Sequence, residues 1–219
     1  INVSWNVYDD YFLDFHLYID DELVFSGINT NEYPLNLEDG EHNITFHAID
    51  KAGNLKRLTF VIFIDTKKPI VSIHLENNTW FNTTNMTISW NVIEKNIKSV
   101  MLLIDGIEYQ VAPNSSLTVN LDYGKHEIQL TAEDYAGNVA IVRKIVNVDA
   151  EPPSVLIISP SNYTYYNSHL INITWTYLEE NIKSIIIYAN NTIIAMNVSV
   201  GNITLWIPPE GFIIIRFVA

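Results

Sequence analysis

The groups that could carry acid–base or metal chemistry are six histidines and 25 carboxylates, and the chain contains no cysteine. Without thiols there is no disulfide framework, thiolate metal site or cysteine nucleophile. His42 and His126 are 126 − 42 = 84 residues apart and each follows a Gly-x pair, whereas the equivalent third position holds Ile213. A general base or metal ligand used in each copy would not give way to isoleucine, so packed histidines at strand starts are expected. His16, His47, His74 and His169 are scattered through unrelated segments. There is no His-Glu-x-x-His, Gly-x-Ser-x-Gly, Walker or dinucleotide motif, and no catalytic residue is assigned.

The acids cluster at Asp9-Asp10, Asp20-Asp21-Glu22 and Glu179-Glu180. Paired carboxylates can hydrolyse glycosides, but these fall between apolar runs, where solvated turns explain them. Asp65 and Asp149 sit at the ends of successive copies, near Asp50 and Asp134, and are the candidate ligands for calcium, whose role would be stiffening. No dense Asp-x-Asp-x-Asp loop is present, and no other cofactor is expected. Trp80-Phe81 and Tyr165-Tyr166 occupy matching positions and could stack on a sugar or a protein partner. Packing onto a neighbouring domain or the sandwich end is the plainer expectation.

Asn-x-Ser/Thr occurs at Asn2, Asn43, Asn77, Asn82, Asn85, Asn114, Asn162, Asn172, Asn190, Asn197 and Asn202. The composition would produce roughly 3 such triplets by chance. N-glycosylation is therefore expected, with Asn2, Asn43 and Asn172 on the outward phase of strands. The net charge of −13 argues against nucleic acid or an acidic membrane as partner. No apolar run is long enough to span a bilayer.

These residues are positioned by a repeat. "INVSW", "MTISW" and "INITW" place Trp5, Trp90 and Trp175 at 90 − 5 = 175 − 90 = 85 residues, and "HAIDKAGN" (47–54) returns as "TAEDYAGN" (131–138). The division is 1–66, 67–150 and 151–219. Only the middle copy is complete: the first lacks its first strand and the third its last. A segment of a longer polypeptide is expected, the alternative being strands supplied by neighbouring copies.

Within a copy, short alternating runs rich in Val, Ile, Thr and aromatics are punctuated by Gly, Asn, Asp and Pro. Strands are predicted near 70–75, 85–92, 98–104, 107–111, 116–121, 124–133 and 138–148, the count of an immunoglobulin-like sandwich. Alternation puts Met86, Ile88, Trp90 and Val92, and His126, Ile128, Leu130 and Ala132, on inner faces. Asp-x-Ala-Gly-Asn lies where the sixth strand reverses into the seventh, since Asp can bond amides and Gly and Asn tolerate positive φ. The shared "EKNIKS" (94–99) and "EENIKS" (179–184) are expected turns, with Ile97 and Ile182 plugging the core.

The Asp-x-Ala-Gly-Asn turns, with "IDTKKPIVSI" (64–73) and "VDAEPPSVLI" (148–157), resemble the tandem bacterial and archaeal immunoglobulin-like repeats of large cell-surface proteins and adhesins. Ala150 stands where those linkers usually have Thr. The resemblance implies an all-β chain of tandem immunoglobulin-like β-sandwich domains arranged end to end as a rod, and a surface role. A structural component of an extracellular stalk, filament or surface layer is the leading expectation, with neighbouring copies of the same assembly as partners. A carbohydrate-binding accessory module of a secreted hydrolase and a strand-exchanging filament subunit are the alternatives. Sequons, absent cysteine and abundant isoleucine fit an archaeal surface glycoprotein.

Overall fold

The computed structural model describes residues 1–196, 201–206 and 214–218. Among the described residues there is no helix, and none long and apolar enough to cross a membrane. The chain divides into two compact units, Ile1–Asp149 and Ala150–Ala219.

The first repeat contains β1 (Asn2–Ser4), β2 (Phe12–Ile19), β3 (Glu22–Ser26), β4 (Glu32–Pro34), β5 (Gly40–Asp50) and β6 (Leu55–Ile64). These form a four-stranded sheet β3-β2-β5-β6 and a two-stranded sheet β1-β4. Between them lie Trp5, Phe15, Phe25 and Phe46, with Trp5 stacked on Phe15 at 4.4 Å between ring centres.

The second repeat comprises β7 (Ile70–Ile73), β8 (Thr79–Phe81), β9 (Asn85–Ile93), β10 (Ile97–Ile104), β11 (Ile107–Gln110), β12 (Ser115–Asn120), β13 (Gly124–Asp134) and β14 (Val139–Val148). Its sheets are β12-β9-β7 and β11-β10-β13-β14-β8. All seven strands expected from alternation are present. The inner-face residues Met86, Ile88, Trp90, Val92, His126, Ile128, Leu130 and Ala132 are buried, and Trp90 Nε1–H donates to the Ala112 carbonyl at 2.9 Å. Burial follows the period-two phase because one face of each sheet turns to its partner sheet.

The eighth strand, β8, is absent from the expectation. Three residues are too few for an alternation signal, and "NNTWFN" carries loop-forming asparagines. β8 pairs in parallel with β14, Trp80 opposite Asn147 and Phe81 opposite Val148.

The second unit contains β15 (Ser154–Ser159), β16 (Leu170–Leu178), β17 (Ile186–Ala189), β18 (Thr192–Met196), β19 (Gly201–Trp206) and β20 (Ile215–Val218). They form the sheets β15-β16-β19 and β18-β17-β20. Ile173, Trp175, Ile185 and Ile187 make the core, with Ile182 packed against it. The fold is all-β, a tandem of immunoglobulin-like sandwiches.

Candidate functional site: the joint between the first two repeats

The linker after β6 begins with Asp65-Thr66-Lys67-Lys68-Pro69, and side chains from both flanking repeats hold it. From the first repeat, the Asp39 carboxylate accepts the Thr66 backbone N–H at 2.9 Å and the Thr66 Oγ1–H at 2.8 Å. It also pairs with Lys67 Nζ at 3.1 Å. These donors hold the Asp39 carboxyl below the usual carboxylate range, the Thr66 hydroxyl being the strongest contributor.

From the second repeat, Asn96 Nδ2–H donates to Asp65 Oδ2 at 2.7 Å, and Asn138 Nδ2–H donates to the Asp65 carbonyl oxygen at 3.0 Å. Asn138 is itself positioned by Asp134, whose two oxygens accept its backbone N–H and its Nδ2–H, each at 2.9 Å. Burial alone would raise the Asp134 carboxyl, but Asn138 and the backbone N–H groups of Ala136 and Gly137 outweigh it and hold the group low. The Asp-x-Ala-Gly-Asn turn is thereby explained. Gly137 takes φ +90°, Asp134 organises the loop, and Asn138, which needs no positive φ, presents an amide to the preceding linker. The same internal bonds recur at Asp50 and Asn54.

The calcium candidates separate. Carboxylate oxygens of Asp65, Glu94 and Asp134 lie within 4.8 Å of one another, whereas Asp149 is outside that group. Three such oxygens are donors of the kind a hard divalent cation takes. Here the linker and the amides of Asn96 and Asn138 already occupy much of that capacity. Glu94 was hidden in the sequence because its association with Asp65 and Asp134 depends on two loops meeting the linker. The shared Glu94/Glu179 position was the available signal.

The aromatic pairs are not equivalent. Phe81 packs against the second repeat's core while Trp80 is 53% exposed. Tyr165 is 99% exposed and Tyr166 43%, in a segment without strand structure.

Of the sequon asparagines, Asn197 lies outside the described residues. The other ten (Asn2, Asn43, Asn77, Asn82, Asn85, Asn114, Asn162, Asn172, Asn190 and Asn202) are exposed. Asn77, Asn114 and Asn190 accept backbone N–H groups through Oδ1, leaving Nδ2 to solvent. Asn54, Asn96 and Asn138, which lie outside sequons, spend Nδ2 on structural bonds. Nδ2 is the atom a glycan would occupy, so the asparagines that spend Nδ2 on structural bonds and those in sequons fall into separate sets.

No protein family profile matches the chain. An uncharacterized 81.3 kDa protein of Acholeplasma phage L2 is 28% identical over 146 residues, covering 62% of this chain and 19% of the phage protein. The chain thus spans about a fifth of that relative's length. Among solved structures, fibronectin(III)-like modules of Clostridium thermocellum CbhA are 19% identical with a TM-score of 0.41, covering 68% of this chain and 83% of theirs. Immunoglobulin domains 1–5 of Sidekick-1 are 13% identical with a TM-score of 0.45, covering 89% and 46%. A 1.5-MDa bacterial ice-binding adhesin is 13% identical with a TM-score of 0.33, covering 88% and 74%. These likenesses concern fold class and not ligand or partner.

Proposed function

We propose that the chain is a structural part of an extracellular surface assembly, a glycosylated stalk, filament or surface layer in which tandem sandwiches set length and stiffness, with adhesion as a further role. The observation that carries this reading is the joint. Asp39 on one side and Asn96 and Asn138 on the other bind three consecutive linker residues, Asp65 to Lys67. A connection so held restricts bending where a bare linker would leave two modules free. The partners on this reading are neighbouring domains or copies of the same assembly.

NMR relaxation of the chain tests it: the first two repeats should tumble with one correlation time, and Asp39→Ala combined with Asn138→Ala should separate them. Independent tumbling in the unaltered chain would defeat the spacer reading. Surface shaving of intact native cells with protease, followed by mass spectrometry of the released peptides, tests the location.

Carbohydrate recognition is favoured by Tyr165 and Trp80, whose exposed rings could stack on a sugar. Polysaccharide pull-down lost in a Trp80→Ala, Tyr165→Ala variant would support it. Strand exchange is favoured by a groove of about 520 Å³ in the first repeat, lined by Trp5, Val7, Phe12, Phe46, Leu58 and Phe60. A peptide with the sequence of residues 67–82, which supplies β7 and β8 in the second repeat, should bind there if that reading holds.

A further inference from the structure

Two of the three repeats share a constellation unrelated to the joint's acid cluster. His42 Nδ1 lies 2.7 Å from Asp20 Oδ2 and its Nε2 lies 2.9 Å from the Glu38 carbonyl oxygen. His126 Nδ1 lies 2.6 Å from Asp105 Oδ2 and its Nε2 lies 2.8 Å from the Asp122 carbonyl oxygen. A carboxylate and a carbonyl oxygen accept and cannot donate, so both ring nitrogens must carry hydrogen. A neutral imidazole has one N–H and can satisfy only one of the two.

Each ring therefore ties three segments together: the hairpin turn bearing the Asp, the loop bearing the carbonyl, and the start of β5 or β13. The second carboxylate oxygen completes the tie by accepting the N–H of Asn43 or Glu127, each at 2.8 Å. The titratable groups facing His42 are Asp20 and Glu38, and those facing His126 are Asp105 and Asp122. Across the sheet, β6 and β14 contribute the apolar Ile62 and Val146. No cation opposes either ring in these sets.

The third repeat is an internal control. Asn190 occupies the position of Asp20 and Asp105 and keeps the backbone bond, accepting the Ile214 N–H at 2.9 Å. The histidine position there is Ile213, outside the described residues. The acid and the histidine have changed together, as expected if they work as an ion pair, while the bond that needs only an oxygen remains.

We propose that His42 and His126 are proton-dependent clasps, charged in the folded chain, and that the first clasp sets the firmness of the joint. Glu38, whose carbonyl the His42 ring holds, precedes Asp39, the residue that anchors Thr66 and Lys67. Loss of the ring's second proton frees either that carbonyl or Asp20, and the loop carrying the anchor loosens. The proposal goes beyond a static spacer by making its joint responsive to pH.

The direction of titration agrees. For His126 burial lowers the imidazole's affinity for a proton, and Asp105, the Asp122 carbonyl and the nearby charges outweigh it; for His42 the Asp20 bond leads; both end above the ordinary histidine value. A raised folded pKa means the stabilisation is complete below about 6.5 and is lost as pH rises through the folded value.

The experiment is a proton NMR titration of the histidine ring C–H signals in the full chain, with melting measured at pH 6 and pH 9. Asp20→Asn and Asp105→Asn are the variants, since Asn190 shows that the fold accepts Asn there. His42 and His126 should titrate above 6.5 in the unaltered chain and fall in the variants. The folding constant should drop tenfold between pH 6 and 9 for each unit of excess pKa, an effect the variants lose. Amide exchange at Thr66, compared at one pH, should be faster in Asp20→Asn at pH 6 and equal to the unaltered chain at pH 9. Titration at or below 6.5, or variants that keep the pH dependence, would overturn the clasp; unchanged Thr66 exchange at pH 6 would overturn its link to the joint. Neither result bears on surface location or on rigidity at a single pH.

Discussion

The Asn138 side-chain amide donates to the carbonyl oxygen of Asp65, 138 − 65 = 73 residues earlier, at 3.0 Å, while the same Nδ2 contacts Asp134 Oδ2 at 2.9 Å. One amide group thus joins the turn of the second repeat to the linker leaving the first. A motif that looks like local turn chemistry is also a receptor for the preceding linker, which explains why a chain of such repeats would keep it. Thr66 adds the grip from the other side. Its counterpart Ala150 has no hydroxyl, and Tyr123 stands at the position of Asp39.

Replacement of Asn138 by alanine should destabilise the first unit by roughly 1–3 kcal/mol, the cost of leaving the Asp65 carbonyl without its partner. Asn54→Ala removes the equivalent turn bonds, but nothing in the described residues lies across from Asn54 as Asp65 does from Asn138. Chemical denaturation of the two variants should therefore show the larger loss for Asn138→Ala. Equal losses would mean the linker bond contributes little.

Trp90→Ala should cost about 3–5 kcal/mol, because it opens a cavity in the second repeat and strands the Ala112 carbonyl. Trp80→Ala, at a half-exposed side chain outside the second repeat's core cluster, should cost under about 1 kcal/mol. Urea denaturation of both variants checks the contrast, and a large loss for Trp80→Ala would show β8 to be a main support of the sandwich.

The strands and inner faces of the second repeat were legible in the sequence because burial on one side of a sheet writes itself as period two, as in Met86-Thr87-Ile88-Ser89-Trp90. β8 was not, since a three-residue strand paired in parallel to β14 has no period to display. The joint was half legible. The repeated Asp65, Asp134 and Asn138 marked the place, but the contact of Asn96 and Glu94 with it depends on two loops converging, and spacing along one chain does not encode that. Of the clasp partners, Asp20 fell among the acids expected in turns and Asp105 was not singled out; their pairing with His42 and His126 required the register of β2 on β5 and β10 on β13.

Acid should weaken the first unit through its aspartates. Asp50 is held low by the Asn54 side chain and backbone, Asp39 by the Thr66 hydroxyl and Lys67, and Asp134 by its turn donors against the opposing effect of burial. A depressed folded pKa contributes stability that is present above the unfolded value near 3.8 and is lost as pH falls through the folded value. Melting temperature measured downward from pH 5 should fall below about pH 4, and Asp50→Asn with Asp39→Asn should make that fall shallower. An unchanged slope in the double variant would assign acid sensitivity to other carboxylates.

The sequon asparagines whose side chains hold no backbone group should tolerate substitution where the structural ones do not. Asn172 and Asn202 stand on the outer face of β16 and β19, where the paired residues are the uncharged Asn172↔Thr204 and Thr174↔Asn202. In the second repeat the outer face of β9 and β12 is likewise Asn85↔Asn120, Thr87↔Thr118 and Ser89↔Ser116. These hydroxyl and amide ladders carry no charge that a glycan would have to desolvate, and no backbone group depends on Asn85, Asn172 or Asn202. Gln at these three positions should change stability by no more than about 0.5 kcal/mol each. Mass spectrometry of intact peptides from native material should show hexose-containing additions at them, and none at Asn54, Asn96 or Asn138. Unmodified peptides throughout would mean that the excess of sequons reflects an asparagine- and threonine-rich β-chain, and that these ladders are bare surfaces available to neighbouring copies.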